Sequence, residues 1–181
     1  MRIVAGSRKG HTIQAPKGVD TRPTSDRVRE SAFMLIGPVD GATVLDLFAG
    51  SGAMGMEALS RGAERAVFVE NDRDAVRAIE RNLDKLRLRG ATVLRSDAVR
   101  ALASEAAAGR RYDLVLVDPP YAMFADLQPQ LARYVPAVLA EHGLAVVETD
   151  ARTEPELPPL VLRTSRRYGS ARITLFDQPV E

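Results

Sequence analysis

Between Thr43 and Glu148 the chain repeats one pattern, a short apolar run followed by a stretch of helical length. The runs are Thr43-Val44-Leu45-Asp46-Leu47, Ala66-Val67-Phe68-Val69, Thr92-Val93-Leu94, Asp113-Leu114-Val115-Leu116-Val117 and Leu144-Ala145-Val146-Val147-Glu148. Helices are predicted between them over 54–60, 72–87, 98–108 and 126–139, the last interrupted by Pro129 and Pro136. Val76, Ile79, Leu83 and Leu86 give the second of these one apolar stripe. Strands alternating with helices restrict the fold to an α/β doubly wound, mostly parallel sheet. The fourth run is nearly all apolar, as the middle of such a sheet requires. Leu160–Leu162 and Arg172–Phe176, about a turn at Tyr168-Gly169-Ser170, break the alternation and should add an antiparallel member at the C-terminus.

The first 37 residues read as a separate appendage, with the main domain over 38–181. Ile3-Val4 and His11-Thr12-Ile13 flank a turn-prone Gly6-Ser7-Arg8-Lys9-Gly10, which predicts a hairpin. Ser25 or Asp26 caps a helix that presents Val28, Ala32, Leu35 and Ile36 and ends at Gly37-Pro38. The net charge of +1 is unevenly spread: residues 1–30 hold seven basic and three acidic side chains. A second basic cluster comprises Arg163, Arg166, Arg167 and Arg172. Basic patches on a near-neutral chain suit a polyanion such as nucleic acid, or a solvated surface. The absence of cysteine excludes a disulfide scaffold, a thiol nucleophile and a Cys-type zinc site. His11 and His142 match no metal spacing and are expected at the surface, with no metal. No apolar run is long enough to span a bilayer, and the N-terminus lacks an apolar signal core, so a cytoplasmic protein with no membrane partner is expected.

Gly50-Ser51-Gly52-Ala53-Met54-Gly55 fits G-x-G-x-x-G after a strand and before a helix, and Glu70 ends the next strand. This is the context of a nucleotide-type cofactor site. NAD and S-adenosylmethionine both place adenosine there, but NAD brings a pyrophosphate and S-adenosylmethionine a sulfonium and an ammonium. Asp46, Glu70 and Asp97 lie at successive strand ends. Three acids around one crevice favour the cationic cofactor, although each alone could be a helix cap.

Asp118-Pro119-Pro120-Tyr121 follows the fourth strand directly. The chain order of a doubly wound sheet reverses between its first and fourth strands, and ligands bind at that switch point. Asp118 would then flank the glycine loop's crevice. An exocyclic nucleobase amine is a poor nucleophile because its lone pair is conjugated into the ring. The Asp118 carboxylate and the Pro119 carbonyl could accept its two N–H bonds and localise that pair. Tyr121 would stack on an extruded or unpaired base. A rigid turn leaving the strand is the plainer use of two prolines.

Asp46-Leu47-Phe48-Ala49-Gly50-Ser51-Gly52 together with Asp118-Pro119-Pro120-Tyr121 resembles the class I (Rossmann-like) S-adenosylmethionine-dependent amino-methyltransferases. Arg2-Ile3-Val4-Ala5-Gly6, the run Thr21-Arg22-Pro23-Thr24-Ser25-Asp26-Arg27-Val28-Arg29-Glu30 and the closing Arg167-Tyr168-Gly169 are similar more narrowly to the RsmD family. That resemblance implies a seven-stranded sheet and methylation of guanine N2 at position 966 of 16S ribosomal RNA. It implies a small ribosomal subunit, assembled or partly so, as partner, and S-adenosyl-L-homocysteine as product. A monomer is expected. By motif position, Asp46, Phe48, Ala49, Gly50, Ser51, Gly52, Asn71 and Ala98 would hold the cofactor, with Glu70 at its ribose and Asp97 on its adenine side. Asp118, Pro119, Pro120 and Tyr121 would hold the target amine. Arg8, Lys9, Arg22, Thr24, Arg27, Arg29 and Arg167 would lie against RNA, since arginine forks bind phosphate and stack on bases.

Other readings stay open at this stage. A DNA amino-methyltransferase shares the Asp-Pro-Pro-Tyr chemistry, although the chain has no large insertion to read sequence. A protein-glutamine methyltransferase leaves the basic N-terminus unexplained. An NAD-binding oxidoreductase fits the loop but has no evident hydride-handling residue. A silent RNA-binding module leaves residues 118–121 idle.

Overall fold

Side-chain oxygens start three of the helices: Ser25 Oγ accepts from Val28 N at 3.2 Å, Asp72 Oδ1 from Ala75 N at 2.8 Å and Asp97 Oδ1 from Arg100 N at 2.9 Å. A computed structural model describes residues 1–17 and 25–180. In chain order these form α1 (Asp26–Ile36), β1 (Thr43–Leu47), α2 (Ala53–Ser60), β2 (Arg65–Glu70), α3 (Arg73–Leu86), β3 (Ala91–Arg95), α4 (Ala98–Ala107), β4 (Tyr112–Val117), a 3-10 turn (Tyr121–Met123), α5 (Phe124–Val138), β5 (Leu139–Asp150), β6 (Val161–Tyr168) and β7 (Ala171–Asp177).

The seven strands make one sheet in the order β3-β2-β1-β4-β5-β7-β6. β1 to β5 run parallel, and β7 is antiparallel to both its neighbours. The chain reverses between β1 and β4, as expected of a doubly wound sheet. Alternate residues of each strand serve opposite layers. Val44, Leu114, Leu116, Leu144, Val146, Ile173 and Leu175 pack with α1, α2 and α3. Leu45, Leu47, Val115, Val117, Ala145 and Val147 pack with α4 and α5.

Two expectations change. α5 runs unbroken through Pro129 and Pro136, because its Leu131, Val135 and Val138 are buried against the sheet and hold the helix across two missing amide donors. β5 begins at Leu139, and its register with β4 shifts between Leu139 and Leu144, around left-handed His142 at φ 61°. The expected N-terminal hairpin forms: Arg2 pairs antiparallel with Thr12, Ile3 N donates to the His11 carbonyl at 2.9 Å and Ile13 N to the Met1 carbonyl at 2.8 Å. Ile3, Ile13 and Phe33 belong to the same core as Ala58 and Leu59 of α2. Gly6 passes so close to α2 that a Cβ there would lie 1.9 Å from the Ser60 carbonyl oxygen.

Candidate active site

β1 delivers Asp46 into the interior, at 3% exposure. Its Oδ2 accepts from Gly55 N, at the start of α2, at 3.0 Å. Burial pushes this carboxyl up to about 8, against the Gly55 amide, and the nearby Glu70 charge adds to the rise. The chain then turns through left-handed Phe48 (φ 57°), Gly50 (φ 56°) and Gly52 (φ 80°). Gly52 is the N-cap of α2, and a Cβ there would meet Met56 Cε at 2.8 Å. Glu70 ties this loop to the β2–α3 turn. Its Oε2 accepts from Gly50 N at 2.8 Å, and its Oε1 from Asn71 N at 3.1 Å and Asp72 N at 3.0 Å. Asp97 is exposed and caps α4, with Ala98 buried behind it. A buried acid, an αL glycine turn and a helix N-terminus thus meet on one sheet edge. That donor and acceptor set fits a cationic cofactor with ribose hydroxyls. Among the described residues Asp46 has no basic partner, and a positive charge beside it would relieve the cost of ionising it.

The second half of the site leaves the neighbouring strand in register. Leu47 pairs with Val117, so the glycine loop and Asp118 depart from adjacent parallel strands at one level, about 5 Å apart. Asp118 is half-buried, Pro119 buried and Pro120 exposed. Tyr121 is 39% exposed, and its hydroxyl donates to Glu148 Oε1 at 3.0 Å. Burial, then Glu148, then the charges of Asp118 and Asp150 keep this phenol well above its ordinary value. It is therefore a neutral donor at physiological pH.

The family described as Conserved hypothetical protein 95 matches residues 1–177. "Putative rRNA methyltransferase YlbH" of Bacillus subtilis is 41% identical over 184 residues, covering 98% of this chain and 99% of that protein. "Ribosomal RNA small subunit methyltransferase D" of Escherichia coli K12 is 42% identical over 122 residues, covering 67% of this chain and 60% of that protein. The chain belongs to the RsmD family. A solved structure described as "Putative methyltransferase yhhF from Escherichia coli" superposes with a TM-score of 0.87 at 32% identity, covering 100% of this chain and 99% of that one. An RNA methyltransferase from Salinibacter ruber, solved with S-adenosyl-L-homocysteine, shares the fold at a TM-score of 0.66 and 20% identity, covering 88% of this chain and 95% of that one. The RsmD-family sheet is that of the class I methyltransferases.

The basic residues of this RsmD-family enzyme divide differently from the sequence reading. Arg29 is wholly buried, which corrects its assignment to RNA. Its guanidinium donates to the Arg2 carbonyl and to Asp26 Oδ1 (2.9 Å), and its Nε lies 3.4 Å from Glu57 Oε2. The buried face of α1 is therefore Arg29, Ala32 and Phe33, while Val28, Leu35 and Ile36 are half-buried. The cause is Glu57 on α2, itself fully buried and in need of a cation. Arg8 is also engaged: its guanidinium donates to the carbonyls of Leu86 and Arg87, capping the C-terminus of α3. Arg172 is buried against Ser165 and the Ala151 carbonyl, and Arg163 pairs with Asp177. Lys9, Arg27 and Arg167 are exposed. Arg22 and Thr24 lie outside the described residues. His11 and His142 are exposed.

Two features escaped the sequence reading. Lys17, Arg77 and Arg81 line a groove of about 410 Å³ with Gln14 and Asp74. The i, i+4 spacing of the two arginines was the available signal. Glu148, at the Tyr121 hydroxyl, was legible only as the last residue of a strand. Among the described residues no group of His, Cys, Asp or Glu could hold a metal, and no helix is long and apolar enough to cross a membrane.

Proposed function

We propose that this enzyme methylates the N2 amine of a guanine in small-subunit ribosomal RNA, at position 966 by the family resemblance. The observation that carries the proposal is the common level at which the glycine loop and Asp118-Pro119-Pro120-Tyr121 leave β1 and β4. Asp46, the loop from Phe48 to Gly52, Glu70 with Asn71, and Asp97 with Ala98 would hold S-adenosylmethionine, which supplies an electrophilic methyl carbon on its sulfonium. The Asp118 carboxylate accepts one N–H of the target amine and the Pro119 carbonyl accepts the other. Both bonds draw the nitrogen lone pair out of conjugation and aim it across the gap between the strands. Tyr121 supplies a face for the unpaired base. Methylation would leave the amine cationic, and Asp118 or water would take its extra proton. Positioning and electrostatics supply the rate, with no covalent enzyme intermediate.

Lys9 and Arg27 of the proposed N-terminal unit over 1–37, and Arg167 of the proposed main domain over 38–181, are exposed cations proposed to meet RNA. The partner would be the small subunit, assembled or partly so, and the compartment the cytoplasm. Tritium transfer from labelled S-adenosylmethionine to undermethylated small subunits, naked ribosomal RNA and DNA tests this. Label is expected in N2-methylguanosine from subunits or ribosomal RNA, with KM rising several-fold between about 50 and about 200 mM salt. Label in DNA alone, or a KM indifferent to salt, would overturn it.

Asp46 gives a pH test of the cofactor role. Its carboxyl titrates near 8 in the folded protein, against the ordinary carboxylate value of 3.8 once the chain unfolds. The folded state thus holds an extra proton between those values, so this group lowers stability progressively as pH rises from about 4 to 8. Asp46→Asn should therefore melt a few degrees above wild type at pH 8, and the gap should close toward pH 4. A cationic cofactor selects the ionised form. Wild-type affinity for S-adenosylmethionine should rise about tenfold between pH 6 and 7. The variant should bind more weakly with a flat profile, and calorimetric titration at the two pH values reads both.

A further inference from the structure

Glu148 has no place in the mechanism above, yet it sits beside it. Val117 pairs with Val147 across β4 and β5, so Asp118 and Glu148 follow at one level on neighbouring parallel strands. Leu116 and Val146, two residues earlier on the same pleat, face the layer that also receives Asp46 and the glycine loop. The 3-10 turn at Tyr121 brings that side chain back to β5, where its hydroxyl donates to Glu148 Oε1 at 3.0 Å. A carboxylate can accept several hydrogen bonds, and the tyrosine bond anchors this one beside Asp118.

We infer that Glu148 is the specificity-determining residue for the base, its carboxylate accepting the N1–H that lies next to the guanine amine. The inference rests on the guanine reading of the site. Among the amino bases, only guanine carries a ring N–H beside its exocyclic amine. Adenine and cytosine present a lone pair at that ring nitrogen, which a carboxylate would repel. Asp118 and the Pro119 carbonyl accept from any exocyclic amine, so they cannot make this choice. A second acceptor one strand away can. A flipped or unpaired base is read on this edge, and a site built to bond a donor rejects the analogue lacking it strongly, because buried polar groups are left unpaired.

The test compares undermethylated small subunits that carry either guanine or adenine at the nucleotide the wild-type enzyme modifies. Methylated nucleosides are separated and kcat/KM is measured for each. Wild type should favour guanine by about 10³-fold or more. Glu148→Gln can turn an amide N–H toward a ring lone pair. It should lose about tenfold or more on guanine, gain N6-methyladenosine on the adenine subunits, and lower the guanine-to-adenine ratio at least about 100-fold. Glu148→Asp keeps the acceptor and should keep the preference at reduced kcat. Tyr121→Phe removes the anchoring bond and should slow both substrates alike. Cofactor-induced thermal stabilisation verifies that each variant is folded. A wild-type ratio in Glu148→Gln, or a folded Glu148→Gln inactive on both bases, would overturn the inference and leave Glu148 as a support for Tyr121. Wild-type transfer to a base other than guanine would overturn the guanine reading first, and the inference with it.

Discussion

Asp118→Ala should lower single-turnover methyl transfer by about 10³-fold while leaving S-adenosylmethionine affinity within about threefold of wild type. The two effects separate because the site has two halves on two strands. Asp46 accepts from Gly55 N of α2 and Glu70 accepts from Gly50 N, both in the glycine-loop half of the site. In the proposed mechanism Asp118 acts on the target amine, where its negative charge would meet positive charge developing on nitrogen in the transition state. Asp118→Asn keeps a carbonyl acceptor without the charge, so it should fall between alanine and wild type. Rapid-quench transfer to undermethylated subunits, paired with calorimetric cofactor titration, reads both quantities. Near wild-type transfer by the alanine variant would remove Asp118 from catalysis, and a matching loss of cofactor affinity would move it to the cofactor half.

Breaking the Arg29–Glu57 pair should destabilise the protein by about 3–5 kcal/mol, because removing one member leaves the other's charge buried. For a chain of this size that lowers Tm by about 10 °C. The two members are not equivalent. Glu57 also accepts from Val4 N at 2.9 Å and Ala5 N at 3.0 Å, and from Arg61 Nε at 2.9 Å. Arg29→Ala therefore leaves a carboxylate with three other donors. Glu57→Ala leaves a buried guanidinium holding only Asp26 and the Arg2 carbonyl, with Nε and one terminal nitrogen lacking hydrogen-bond partners already in the intact protein. It also releases the Val4 and Ala5 amides. Glu57→Ala should thus show the larger loss of Tm and faster hydrogen exchange at residues 4 and 5. RNA affinity of Arg29→Ala, measured well below its Tm, should stay within about twofold of wild type. A selective fall in RNA affinity at unchanged stability would return Arg29 to the phosphate-binding set.

The strands and helices were readable because each rests on nearby residues. Apolar runs bounded by glycine and proline, cap residues such as Asp72 and Asp97, and the glycine turn after β1 are local signals, and the observed ends of β1 to β4 and of α2 to α4 lie close to the predicted ones. The switch point was also accessible, since right-handed crossovers leave few ways to order five parallel strands. Asp46, Glu70 and Asp118 could be singled out because strand ends converge on one edge in any such sheet. The N-terminal arginines could not be sorted in this way. Arg27 and Arg29 stand two residues apart and carry the same charge, yet one is exposed and the other is buried against Glu57, 28 residues further on.

The linear sequence by itself determined the element pattern, the doubly wound class and the positions where a methyl donor and an amine could meet, because these follow from short-range periodicity and the steric rules of βαβ units. Only the tertiary structure decided which charges were available for function. A buried carboxylate on α2 drew Arg29 inward, the carbonyls ending α3 drew Arg8, and the β4–β5 register brought Glu148 beside Asp118. Each is a pairing across long sequence separation, chosen by the cost of leaving a buried charge or carbonyl unmatched.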